Sequence, residues 1–149
     1  MLQAARPGTS KREELIAFRV ADQEFCIDIM SVREIRGWTQ TTPLPQSPHY
    51  LRGVINLRGA TLPVIDLAAR LGMPVSEPGP RHAIIVAQVG EQVLGFLVDA
   101  VLDIMTMRED ELHPAPEVAY DPGKSFVRGL LTVEDRVLVL VTLDPSLLH

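Results

Sequence analysis

The sequence is short of cysteine, of aromatics, of long apolar runs and of positive charge. Each shortage removes a class of protein. The single cysteine, Cys26, rules out an internal disulfide framework. With four scattered histidines (49, 82, 113 and 149) it builds no zinc site either, so no metal is expected. Flanked by Phe25 and Ile27, it reads as a small core residue rather than a nucleophile. Apolar runs such as "VLVLV" at 137–141 fall far short of the roughly 18 residues needed to cross a bilayer, so no direct membrane insertion is expected. No apolar secretory segment follows Met1. The polar "MLQAARPGTSKREE" reads as a frayed tail over residues 1–13, and the expected location is cytoplasmic. Lysine and arginine total 14 against 19 Asp and Glu, a net charge of −5. That balance speaks against nucleic acid as the main partner. One Trp, two Tyr and four Phe are too few for a stacking surface along a basic stripe.

Catalytic signatures are missing as well. There is no G-x-S-x-G elbow, no P-loop and no G-x-G-x-x-G. Asp28, Asp66, Asp99 and Asp103 stand alone at strand ends or turns. Asp99 and Asp103 are four apart, but their stretch reads as extended, so they need not share a face. The expectation is no enzyme, no catalytic residues and no cofactor.

What is present is a chain of 149 residues, 46% hydrophobic, which is enough for one domain with a real core. Eight short apolar runs are separated by turn signals: residues 15–20, 24–29, 53–57, 61–67, 83–89, 93–98, 126–131 and 137–143. Their length and their Val, Ile, Leu and Phe content are those of strands. Many short, closely spaced strands imply a barrel or sandwich. Helical signals are few. "SVREIRG" (31–37) offers Ser31 as N-cap and Gly37 as stop, and "DLAARLG" (66–72) offers Asp66 and Gly72. "TMREDEL" (106–112) reads as a turn, and "DPSLLH" (144–149) as a helix start with an early proline. "PLPQSP" (43–48) and "HPAPEVAYDPG" (113–123) are loops stiffened by proline.

The chain repeats itself. Shifted by 76 positions, Tyr50–Leu67 lands on Phe126–Leu143, with Arg52–Gly53 on Arg128–Gly129 and Leu62 on Leu138. Shifted by 69, Val20–Ile35 lands on Val89–Ile104, with Val32 on Val101 and Glu34 on Asp103. Two copies of one small β unit are therefore expected to pack together, leaving a groove for ligands or partners. Arg52 and Arg128 recur at one position, each before a glycine that permits a bulge or a positive φ, so they read as structural. Arg58 falls on Glu134, so the repeat does not require arginine there. It is either an ordinary solvated turn residue or an arginine held by a carboxylate and presented to a partner. Pro63 cannot donate a ladder hydrogen bond, which suggests an edge or bulged strand.

Four blocks, "FCIDIMSVREIRGW", "YLRGVINLRGATLPVIDL", "VGEQVLGFLVDAVLDI" and "LHPAPE", in this order and spacing, resemble the chemotaxis coupling proteins, the CheW-like family. The resemblance covers about residues 14–148. It implies an all-β fold of two pseudo-repeated five-stranded SH3-like β-barrels with a few short helices, subdomains of about 14–80 and 81–149 in one domain. It also implies a scaffold that ties the cytoplasmic tip of methyl-accepting chemotaxis receptors to the regulatory domain of the histidine kinase CheA. The setting would be arrays at the inner face of the membrane, with ring self-association possible. A non-flagellar chemosensory system is the alternative setting, and a reader of proline-rich peptides the alternative function.

By position, the resemblance assigns Glu34 and Arg58 to a salt bridge beside the receptor groove. It assigns Ile29, Val32, Ala83, Gly95, Val101 and Ile104 to the apolar groove itself, with core packing as the alternative for each. Leu44, Gly53, Leu62 and Ile65 match the face that meets the kinase.

Overall fold

The computed structural model describes residues 12–114 and 126–143. They form ten strands: β1 (Arg12–Val20), β2 (Gln23–Asp28), β3 (Val32–Gly37), β4 (Leu51–Leu57), β5 (Ala60–Asp66), β6 (Ala83–Val89), β7 (Gln92–Val98), β8 (Ala100–Arg108), β9 (Val127–Val133) and β10 (Arg136–Val141). One helical turn, α1 (Leu67–Arg70), follows β5. Its N-cap is Asp66, as expected, with the carboxylate accepting from the Ala69 N–H at 3.2 Å.

Two five-stranded sheets result, ordered β8-β1-β2-β10-β9 and β3-β6-β7-β5-β4. Replacing each strand of one sheet by its repeat partner gives the other sheet. The duplication is thus real, but the copies exchange strands. The first sheet, barrel A, takes β1 and β2 from the first copy and β8, β9 and β10 from the second. Barrel B takes the reverse. Dividing the chain at about residue 80 therefore does not divide the sheets, and that expectation is corrected. The cause lies in the two parallel pairs, β2 with β10 and β5 with β7. Parallel neighbours need a long crossover, which a hairpin cannot supply. The chain crosses from A to B at a 3₁₀ turn, Ile29–Ser31, where Asp28 accepts from the Met30 N–H at 2.9 Å. It returns at Asp99, whose N–H donates to the Arg19 carbonyl at 2.9 Å.

Alternation along the strands builds three cores. Leu15, Ala17, Cys26, Leu138 and Leu140 fill barrel A. Leu62, Val64, Ile84 and Val86 fill barrel B. The intervening residues, among them Phe18, Ile27, Ile85, Phe96 and Val139, form one continuous core between the barrels. Both faces of the central strands are thus dry, which is why they read as unbroken apolar runs.

In each sheet one bridge joins a loop to an outer strand. Thr42 and Val54 exchange hydrogen bonds of 2.9 Å, and His113 and Leu130 exchange bonds of 2.8 Å. The glycines of both Arg-Gly pairs lie under these bridges. A Cβ on Gly53 would stand 2.3 Å from the Thr42 carbonyl oxygen, and one on Gly129 would stand 2.5 Å from that of His113. Only a residue without a side chain fits there.

Two local expectations are overturned. "SVREIRG" is not helical; residues 32–37 are β3, with burial alternating at every second residue as they pair with β6. β5 is not an edge strand, for it lies between β7 and β4, but the bulge half of that expectation has a counterpart: the β4–β5 ladder shifts register between Leu51 and Gly53, opposite Ile65 and Val64. Pro63 is tolerated because the parallel ladder with β7 begins only at Val64. Its partner across β4, Val54, spends both backbone groups on Thr42. The "TMREDEL" turn is present as a 3₁₀ turn at Glu109–Glu111. "DPSLLH" and most of "HPAPEVAYDPG" lie outside the described residues.

A charged pair beside the seam

β3 is an edge strand of barrel B, so its outward residues are available to partners. Glu34 sits at its middle. Arg58 comes from the β4–β5 turn, where Arg58 and Gly59 have φ of 52° and 89°. Two left-handed residues in succession suit the twist of a tight hairpin. The turn is tied by the Asn56 side chain, which accepts from the Gly59 N–H at 2.8 Å. An arginine in the left-handed region is uncommon, since its Cβ crowds the next carbonyl.

From this turn Arg58 Nη2 donates to Glu34 Oε1 at 2.5 Å. Arg36, two residues along β3, lies 3.4 Å from Glu34 Oε2 through Nη1. The Arg58 hydrogen bond, with Arg36 in support, holds the Glu34 carboxyl below its ordinary range, and Glu34 in turn raises Arg58. The carboxylate side chain is 29% exposed and that of Arg58 68%. The acid is the anchor, and the guanidinium is presented outward with most of its donors unspent.

The pair flanks a groove of about 510 Å³ at the mouth of barrel B, lined also by Leu57, Thr61, Val86 and Val93. Arg33 closes one side through a 2.6 Å hydrogen bond to Gln88. The sequence reasoning missed Arg36 and Arg33. Their alternation with Glu34 along one strand was the available signal, hidden by the helical reading of that segment.

The structure sorts the other expected site residues. Ile29, Val32 and Val101 are half-buried and pack against the inter-barrel core, so they line the seam between the barrels. Ile104 is exposed on β8. Ala83 is buried in the inter-barrel core. Gly95 does not face a groove. A Cβ there would meet Ile84 and Leu62 side-chain carbons at 2.7 and 3.3 Å, inside barrel B. Of the proposed kinase-facing set only Leu44 is exposed. Gly53 lies under its bridge, Leu62 fills barrel B and Ile65 fills the core between the barrels. Gly53 and Ile65 support the surfaces from beneath, while Leu62, though buried, lines the floor of the groove at Glu34.

Arg52 and Arg128 are structural anchors. Arg52 Nε pairs with the buried Asp66 at 3.1 Å, and Arg128 pairs with Glu13 at 3.3 Å. Burial pushes the Cys26 thiol up to about 12, which keeps it protonated and inert. Among the described residues no three His, Cys, Asp or Glu side chains converge as a metal set, and no helix is long and apolar enough to cross a membrane.

Fold and site together define a class: a duplicated, strand-exchanged double barrel whose exposed chemistry is a pinned arginine at the mouth of one barrel. The CheW-like domain model matches residues 14–148. Chemotaxis protein CheW of Rhizobium meliloti (strain 1021) is 57% identical over 97% of this chain and 93% of its own length. That of Klebsiella aerogenes is 33% identical over 94% and 84%. The crystal structure of scaffolding protein TtCheW from Thermoanaerobacter tengcongensis superposes with a TM-score of 0.83 at 29% identity, covering 91% of this chain and 92% of that one. The chain belongs to the CheW-like domain family.

Proposed function

We propose that this chain is a chemotaxis scaffold that couples the cytoplasmic tip of methyl-accepting receptors to the regulatory domain of the kinase CheA. It carries out no catalysis and works in the cytoplasm, recruited to the inner face of the membrane through receptor arrays. The observation that carries the reading is the Glu34–Arg58 pair. Barrel A has Glu134 at the position of Arg58, also left-handed, so the fold does not need an arginine there. An exposed arginine at a strained position, fixed by a carboxylate on the strand that begins at half-buried Val32, suits a helical partner. Apolar residues of the helix would enter the seam and its polar flank would meet the guanidinium. Leu44, exposed on the loop before β4, remains the one candidate contact for the kinase among those first assigned.

Reconstitution tests this reading. Receptor-containing membranes and the cognate kinase are combined with and without the protein, and kinase autophosphorylation and co-sedimentation are measured together. Both rise only with the protein present, and Arg58→Glu abolishes the rise while melting is unchanged. Kinase binding without any change in activity would instead make the protein a filler of the array. Binding to neither partner would leave the family fold without the coupling function.

A further inference from the structure

The groove at Glu34 has a counterpart. The 69- and 76-residue shifts place Asp103, Arg19, Glu24 and Arg136 in barrel A where barrel B has Glu34, Gln88, Val93 and Ala60. The registers agree: Asp103 pairs with Ala17 as Glu34 pairs with Val86, and Arg19 with Glu24 as Gln88 with Val93. These four residues and Arg81 line a groove of about 620 Å³ at the mouth of barrel A.

Its chemistry is different. Arg136 is committed: Nε and Nη2 both donate to Glu24 Oε1, at 2.8 and 2.5 Å, and Nη2 lies 3.9 Å from Asp103. Arg19 and Arg81 are not. Neither side chain has a hydrogen bond, an ion pair or a ring contact among the described residues, a state shared only with Arg12 among the described arginines. In a chain with more acids than bases, two arginines left without carboxylates in one groove are unusual. The five side chains sum to a local charge of about +1 on a protein of net charge −5.

We propose that this mouth is a second docking site, separate from Arg58, for an extended acidic segment of a protein partner that presents carboxylates to Arg19 and Arg81. Charge complementarity chooses the segment's sign, because each guanidinium offers a free fork to a carboxylate. The global charge of −5 disfavours extended polyanions such as nucleic acid or an anionic membrane. A short segment senses the local arginines instead, within a Debye length of about 8–10 Å. The extended form follows from β8. Ala100–Asp103 line the groove on an edge strand that, among the described residues, has a β-partner only on its β1 side. Such an edge accepts a further strand through backbone hydrogen bonds.

The test uses a fluorescently labelled peptide of alternating glutamate and threonine, with its lysine–threonine analogue as control. Fluorescence anisotropy is read on the full chain at low and high salt. The acidic peptide binds in a salt-sensitive manner and the basic one does not. Arg19→Ser/Arg81→Ser weakens binding at least about tenfold, the loss expected for charge-assisted contacts, while Arg58→Ser leaves it unchanged. Both arginines are unpaired, so the double variant retains the wild-type melting curve. No binding by the wild type, or equal binding by the double variant, overturns the proposal. Displacement by inorganic phosphate at equal charge also overturns it, by reducing the groove to a free-anion site. An equal loss in Arg58→Ser would assign the peptide to the groove of barrel B and overturn it too. The coupling assay above reads Arg58, so failure of one reading leaves the other standing.

Discussion

The β4–β5 hairpin and the β9–β10 hairpin are repeat partners that share one pairing plan. In each, an Arg-Gly pair passes under a bridging loop. In each, the end of the hairpin is tied to its start, by Asp66 N–H to Tyr50 O at 2.7 Å and by Thr142 N–H to Phe126 O at 2.6 Å. Each turn has a left-handed residue, Arg58 at 52° and Glu134 at 56°. The hairpins differ in what their mouths carry. Barrel B sends Arg58 across to Glu34 and leaves Val93 and Ala60 apolar. Barrel A fills the corresponding places with the committed cluster of Glu24, Arg136 and Asp103. The duplication is kept in the strand order and the loop bridges and is lost in the features that face outward. Function is therefore to be sought where the copies disagree.

The strongest test of equivalence is in the barrel interiors. Leu62 and Leu138 are repeat partners, 3% and 0% exposed. Leu62→Ala and Leu138→Ala should each cost about 3 kcal/mol, the usual loss for a buried leucine that leaves a cavity. Urea denaturation measures both. If Leu62→Ala kept its stability and lost only kinase binding, Leu62 would be a surface residue and the comparison would fail.

The two bridges come next. Gly53→Ala and Gly129→Ala each press a methyl group against a backbone carbonyl that cannot yield as a flexible side chain would. A loss of about 2 kcal/mol is expected at each site. At Gly53 the φ of 142° adds strain, so that variant should be the worse of the two. Thermal melts of the pair decide it, and tolerance at one glycine alone would mean that only one sheet is bridged this way.

Much of this was legible in the sequence. The eight apolar runs became eight strands, and the repeat predicted equivalent sheets. The two strands outside the eight runs, β3, which read as a helix, and β8, which read only as an extended stretch, are also repeat partners. Both are edge strands with exposed residues, so charge interrupts their apolar runs, and a serine cap before β3 with a glycine stop at its end imitated a helix. Strand exchange was invisible because a repeat in the sequence does not say which copy of a strand supplies its parallel neighbour. The site was half legible. Arg58 stood out because the repeat did not demand it, and the structure pairs it with Glu34. Gly53, Leu62, Ile65 and Gly95 were placed on surfaces because a strand buried on both faces gives no pattern to distinguish inside from outside.

The turns separate function from fold. Arg58→Glu and Glu134→Arg change equivalent left-handed positions, and neither should move the melting curve. Arg58→Glu should weaken receptor binding about tenfold or more, because it sets two carboxylates side by side where one had fixed a guanidinium. Glu134→Arg should leave coupling as it is. Co-sedimentation with receptor membranes at low protein concentration reads both. Equal effects from the two changes would return Arg58 to the status of an ordinary turn residue.

The smallest expected effect is the pH response of the pair. Arg58 lowers the Glu34 pKa from its ordinary 4.5, so the folded value lies below the unfolded one. The pair's contribution is then complete above about pH 4.5 and is lost as pH falls through the depressed folded value. Between pH 8 and pH 5.5 the arginine should stay pinned, and receptor binding should show no step from this site. An NMR titration of the Glu34 carboxyl carbon checks this, with a midpoint below 4.5 in the wild type that returns toward 4.5 in Arg58→Ser. A wild-type midpoint at or above the ordinary value would mean that the pair does not form in solution. Arg58 would then be free, and the fixed geometry that sets barrel B apart from barrel A would have no basis.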